Sequence, residues 1–115
     1  MKILVVNDDS IDSPFLKLLL EQLPAQAEIR IVVPATEQSW KGKSLTRFGE
    51  LVAREVSLAG YRAMTVDGTP ADCTNIGIYH SDNGKPDIVV SGINIGHNSG
   101  VSYVFSSGTV GAALE

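Results

Sequence analysis

Two adjacent acids, Asp8 and Asp9, close the opening stretch Met1-Lys2-Ile3-Leu4-Val5-Val6-Asn7-Asp8-Asp9. Neighbouring carboxylates repel, so holding both takes a cation or a shared proton. A hard divalent metal with oxygen ligands meets that need. Further along, Ser39, Asn94 and Asn98 offer a hydroxyl and two amides, and Ser107-Gly108-Thr109 reads as a helix start. Helix N-termini hold anions through their backbone N–H groups. A metal can polarise a phosphoryl oxygen and lower the pKa of a bound water, so metal plus anion cradle points to phosphate-ester hydrolysis. Two carboxylates, a hydroxyl and an amide carbonyl suit magnesium, manganese or calcium, whereas histidine and thiolate are not clustered as zinc would require. Asn7-Asp8-Asp9-Ser10 equally suits a turn with a helix cap.

The elements that must position these groups alternate between strand and helix patterns. Ile3–Val6 reads as a strand buried on both faces, as in a parallel sheet. Asp12-Ser13-Pro14 pairs a capping side chain with an early proline and starts a helix. Phe15, Leu16, Leu19, Leu20 and Leu23 continue it at helical spacing until Pro24 stops it. Ile29-Arg30-Ile31-Val32-Val33 is a second buried strand, ended by Pro34. Residues 35–49 lack periodicity and form a long loop, a length that is usually functional in a compact domain. Leu51–Val56 and Arg62–Val66 read as strands joined through Gly60. Thr69-Pro70 opens a helix to Tyr79, with Ala71, Ile76 and Tyr79 among its core positions. A strand at Asp87–Ser91, a glycine-rich loop from Gly92 to Gly100 and a helix from Ser107 complete the chain. This order predicts one α/β domain over 1–115, a Rossmann-like three-layer fold with a largely parallel sheet. If the strands are adjacent and parallel, Asp8-Asp9, the Ser39 loop and Asn94 with Asn98 converge on one crevice beyond the strand ends.

Composition narrows the partners. Apolar residues are 43% and charged residues 19% of the 115, an ordinary globular balance. A net charge of -4 with no basic run speaks against nucleic-acid polymers. The single cysteine, Cys73, suits a reducing compartment, and no apolar stretch reaches membrane-spanning length. No signal peptide is visible, so the expected location is the cytoplasm. A dinucleotide-binding oxidoreductase is set aside: no glycine fingerprint follows the first strand, and acids there repel a pyrophosphate.

These motifs together resemble the SurE family of survival-protein nucleotidases. The matching residues are Asn7-Asp8-Asp9, Pro34, Gln38-Ser39, and Gly42 with Ser44 and Thr46. Gly68-Thr69-Pro70-Ala71-Asp72-Cys73 follows, then Pro86-Asp87, Val90-Ser91-Gly92-Ile93-Asn94, Gly96, Asn98 and Ser107-Gly108-Thr109-Val110. The resemblance implies a divalent-metal-dependent phosphomonoesterase acting on nucleoside 5'- or 3'-monophosphates. Asp8, Asp9, Ser39 and Asn94 correspond to its metal ligands, and Asn98, Ser107, Gly108 and Thr109 to its phosphate pocket. Asp8 or Asp9 would act directly in the chemistry.

Three departures accompany the likeness. Ser10 stands where the family usually has glycine, and a positive φ there would cost roughly 1 kcal/mol. Trp40 replaces a small residue after Ser39; of base stacking, crowding and loop packing, packing is expected. Family members are about twice as long, their C-terminal half supplying the rest of the sheet and an exchanged dimer segment, so this chain is expected to lack that part. From this follow an expected homo-oligomer with contacts through the helix at 107–115, weak catalysis, and a second reading as a metal- or nucleotide-binding domain with little or no turnover. Asp72 is expected to support the helix at Thr69-Pro70, Cys73 to fill core, Phe48 to staple the long loop, and His80 and His97 to lie at the surface, with His97 the better acid or base.

Overall fold

Strand and helix alternate along the computed structural model, which describes residues 1–80 and 82–115. The order is β1 (Lys2–Val6), α1 (Pro14–Gln22), β2 (Glu28–Pro34), β3 (Ala53–Leu58), β4 (Tyr61–Val66), α2 (Pro70–Tyr79), β5 (Ile88–Ser91), α3 (Val101–Ser106) and α4 (Gly108–Leu114). A strand points successive side chains to opposite faces. Ile3 and Val5 therefore join Leu16 and Leu20 of α1 with Ile31 and Val33 in one cluster. Leu4 and Val6 join Val32, Val66, Cys73 of α2 and Ala112 of α4 in the other. The sheet is covered on both faces, which is why β1 is apolar from Ile3 to Val6. Each fully buried Leu or Val stabilises by roughly 1.5–3 kcal/mol. The three-layer α/β reading holds.

The sheet order is β3-β4-β2-β1-β5. β1 runs parallel to β2 and to β5, and β2 parallel to β4; β3 alone is antiparallel. The chain moves outward from β1 through β2 to the edge strand β3, folds back as β4 between β3 and β2, then returns through α2 to β5 on the far side of β1. The direction of winding reverses between β1 and β5. A crevice at such a switch point is where open α/β sheets bind ligands.

Local signals behave unevenly. Ser13 occupies the N-cap of α1 but makes no side-chain capping bond, so Pro14 in the first turn is the start signal that operates. Thr69 caps α2 fully: its side chain accepts from Asp72 N–H while Asp72 accepts from Thr69 N–H, a reciprocal capping box. Ala59 and Gly60 turn β3 into β4, both at positive φ (50° and 84°), as tight hairpins require. The pairing lies two residues later in β3 than the sequence suggests, because Ala53 faces Val66 and Leu58 faces Tyr61. Tyr79 is 61% exposed and leaves the core to Cys73 and Ala71. α3 is absent from the sequence reading. It buries none of its residues, so it carries no amphipathic stripe to recognise. Among the described residues no helix is long and apolar enough to cross a membrane.

Candidate active site

The loop after β1 is fixed first. Asn7 Nδ2 donates to Ser10 O at 2.8 Å, bending the chain so that Ser10 takes φ 69°. This is the left-handed conformation that favours glycine, so Ser10 carries the strain expected of it. Asp8 is only 4% exposed and Asp9 half-buried. Gln38 N–H donates to Asp8 O at 2.8 Å, drawing the loop after β2 alongside the acids. Gly92 N–H donates to Val6 O at 2.9 Å, extending the β1–β5 pairing into the glycine-rich loop. The peptide between Gly92 and Ile93 is cis.

The glycine-rich loop and α4 then close on the acids. Ile95 N–H donates to Asp9 Oδ2 at 2.8 Å. Thr109 Oγ1 donates to Asp8 Oδ1 at 2.6 Å, and Asn94 Oδ1 lies 3.0 Å from the same hydroxyl. Ser91 Oγ holds Thr109 O at 2.6 Å, so β5 sets the height of α4. A Cβ on Gly108 would sit 2.8 Å from Asp8 Cβ, and only glycine lets the helix start approach so closely. Ser107 Oγ caps α4 by accepting Val110 N–H at 3.2 Å. The first-turn N–H groups of Gly108 and Thr109 have no acceptor within a helix.

The long loop is pinned at two ends. Ser44 O accepts from Thr69 Oγ1 at 2.6 Å, and Asp72 accepts from Thr46 N–H at 3.0 Å and Thr46 Oγ1 at 2.6 Å. Gly42 N–H donates to Ser106 O at 2.9 Å. A Cβ on Gly111 would lie 2.2 Å from Gly42 O, so loop and helix touch backbone to backbone. Between these anchors the loop brings Ser39 and Trp40 to the crevice. Ser39 is exposed, and its hydroxyl donates to Glu37.

A cavity of about 200 Å³ results, lined by Asp8, Ser39, Trp40, Asn94, Ile95, Gly96, His97, Asn98, Tyr103, Ser106 and Ser107. Of the residues expected from the sequence, Asp8, Ser39, Asn94, Asn98 and Ser107 thus line one cavity. Thr109 and Gly108 stand behind it against Asp8, and Asp9 lies outside the lining, held by Ile95. Tyr103, Ser106 and the Ile95 N–H were not anticipated. Only the glycine-rich context marked that region, and no spacing rule links Tyr103 to Trp40.

Charge in the site is unbalanced. Burial pushes the Asp9 carboxyl up, the Ile95 N–H pulls it down, and the charges of Asp8 and Glu37 push it up again, leaving it above its ordinary value. One Thr109 proton serves two acceptor oxygens. Among the described residues no group of three or more His, Cys, Asp or Glu can hold a metal. A cation here would therefore rest on two carboxylates completed by amide and hydroxyl oxygens, a set that fits magnesium, manganese or calcium.

The remaining expectations divide. Asp72 supports α2 as predicted, and Cys73 is fully buried with its thiol pushed up by burial and by the Asp72 charge. His80 and His97 are exposed. Phe48 is no staple: it is 79% exposed, with Arg47 5.0 Å from its ring centre. Trp40 is not packed away either. It meets Tyr103 at 5.5 Å between ring centres, yet remains 66% exposed.

Known proteins resemble this chain in sequence and in fold. Residues 3–115 match the family described as survival protein SurE. The 5'-nucleotidase SurE of Methanopyrus kandleri is 43% identical over 115 residues, covering 100% of this chain and 44% of that protein. That of Archaeoglobus fulgidus is 44% identical, with the same coverage of 100% and 44%. The chain thus spans less than half the length of these curated relatives. The crystal structure of a SurE protein from Aquifex aeolicus is 38% identical and superposes with a TM-score of 0.83 over 99% of this chain and 45% of that one. Matched in sequence from residue 3 onward and in fold across its whole sheet, the chain belongs to the survival protein SurE family.

Proposed function

We propose that this chain forms the metal- and phosphate-handling part of a phosphomonoesterase that cleaves nucleoside 5'- or 3'-monophosphates to nucleoside and phosphate. The observation that carries the reading is the meeting of the buried Asp8 with Asn94 and the start of α4 through Thr109. Asp8, Asp9, Ser39 and Asn94 would hold a divalent ion, magnesium, manganese or calcium. When bound, that ion supplies Lewis-acid polarisation and an acidified water. The chain does the rest. Thr109 and Ile95 orient the two acids, which act directly on the reacting group. Asn98, Ser107 and the N–H groups of Gly108 and Thr109 bind the phosphoryl oxygens and favour the charge that develops on them. Relatives named 5'-nucleotidase support the substrate class.

The setting of the reading is cytoplasmic, supported by a lone buried cysteine, and free of nucleic-acid polymers, supported by the net charge of -4. Self-association through the helix at 107–115 is part of it, supported by Leu114 at 64% exposure and by exposed Val101 and Phe105 in the neighbouring α3. Light scattering tests that part. Phosphate release by the purified chain from a panel of nucleotides, with and without manganese, tests the whole. Metal-dependent release is expected. Metal and nucleotide binding without release would favour the second reading, a weakly active or inactive binding domain; neither binding nor release would sink both.

A further inference from the structure

On the hydrolase reading above, we infer that Trp40, backed by Tyr103, stacks the aromatic base of the substrate. Both rings line the same cavity as Asp8, Ser39 and Asn94, and both are largely in water, at 66% and 51% exposure. Exposed Phe48 and Phe105 do not line it. The cavity, about 200 Å³, falls below the roughly 300 Å³ from which sites enclosing a whole drug-sized ligand begin. It is sized for the phosphate end of a nucleotide, and a base must then lie at the rim.

Geometry selects the face. The ring centres are 5.5 Å apart and the planes tilted by 44°. A third ring between them would need about 3.5 Å of separation on each side, so it cannot enter. The open face of the indole is the platform, and Tyr103 fixes the other side. The platform is also held in place. Trp40 sits at φ 64°, costly for a bulky side chain, and the Gly42 N–H bond to Ser106 O (2.9 Å) ties its loop to the end of the helix that carries Tyr103. Such strain persists where surrounding structure dictates it, commonly at ligand clamps. Every base has a π-face, so the chain should prefer nucleotides over sugar phosphates while choosing weakly among bases.

Trp40 is the only tryptophan, so its emission reports the contact directly. The full chain in magnesium is titrated with adenosine monophosphate, adenosine and ribose 5-phosphate. Saturable quenching by the first two, and none by the third, is expected. Equilibrium dialysis then compares the Trp40→Gly variant, whose glycine suits the positive φ. Its affinity for adenosine monophosphate relative to ribose 5-phosphate should fall roughly ten-fold, and Trp40→Phe should restore most of the ratio. Phosphate release from the nucleotide with an unchanged ratio in Trp40→Gly overturns the stacking and keeps the hydrolase reading. Quenching and a reduced ratio without release keep the stacking and overturn the hydrolysis.

Discussion

Asp72 at the start of α2 and Asp9 at the end of β1 are the same residue type in opposite circumstances. Burial pushes the Asp72 carboxyl up, but hydrogen bonds from Thr46 and Thr69 together outweigh it and hold the group below its ordinary value. Burial pushes Asp9 up as well, but it receives only the Ile95 N–H in return, faces two like charges, and is held above its ordinary value. One acid is saturated with donors and serves the fold. The other has few donors to offset its burial and its like-charged neighbours, and a carboxyl so placed is a candidate for function rather than for fold.

Asp9→Asn would break this contrast most severely. On the proposed metal site this removes one charged ligand and should weaken manganese binding by roughly a hundred-fold, with circular dichroism unchanged. Calorimetry on both proteins decides it, and unaltered binding would reduce the acids to turn residues. Asp72→Ala should do the reverse. Losing the bonds from Thr46 N–H, Thr46 Oγ1 and Thr69 N–H should cost about 3 kcal/mol in chemical denaturation, at about 1 kcal/mol per bond, while the remaining folded protein still binds metal. Because the folded pKa of Asp72 is lowered, its stabilisation is complete above the unfolded value of about 3.9 and lost as pH falls through the folded value. The variant should accordingly show a flatter acid limb.

Gly111→Ala probes the anchor between the two regions. Its new Cβ meets backbone, Gly42 O at 2.2 Å, so an overpacking cost of about 2 kcal/mol is expected in thermal melts. A neutral result would mean the long loop is free to move off α4. The smallest effect concerns Asp9 again. A raised carboxylate pKa means stability falls as pH rises from the unfolded value through the folded one. Without metal at neutral pH, Asp9→Asn should therefore be slightly more stable than the parent, by less than about 1 kcal/mol given its exposure to solvent. Destabilisation instead would show that Asp9 is a structural acid like Asp72.

Much of this was written locally in the chain. The β-branched run at Ile3–Val6, the proline after Ser13 and the Thr69-Pro70-Ala71-Asp72 cap act over a few residues, so strands, helix starts and the three-layer class are legible without coordinates. The paired acids at a strand end likewise announce a charge that needs a partner. What the sequence could not decide depends on contacts between distant residues. Thr109 reaches Asp8 across 101 positions, and Thr46 reaches Asp72 across 26. The order β2-β1-β5 turns three separate loops into one crevice. Whether Trp40 and Phe48 pack or face water, and whether residues 101–106 form a helix, was fixed only by what the folded chain leaves beside them. Propensity is a property of neighbours in sequence; burial and convergence are properties of neighbours in space.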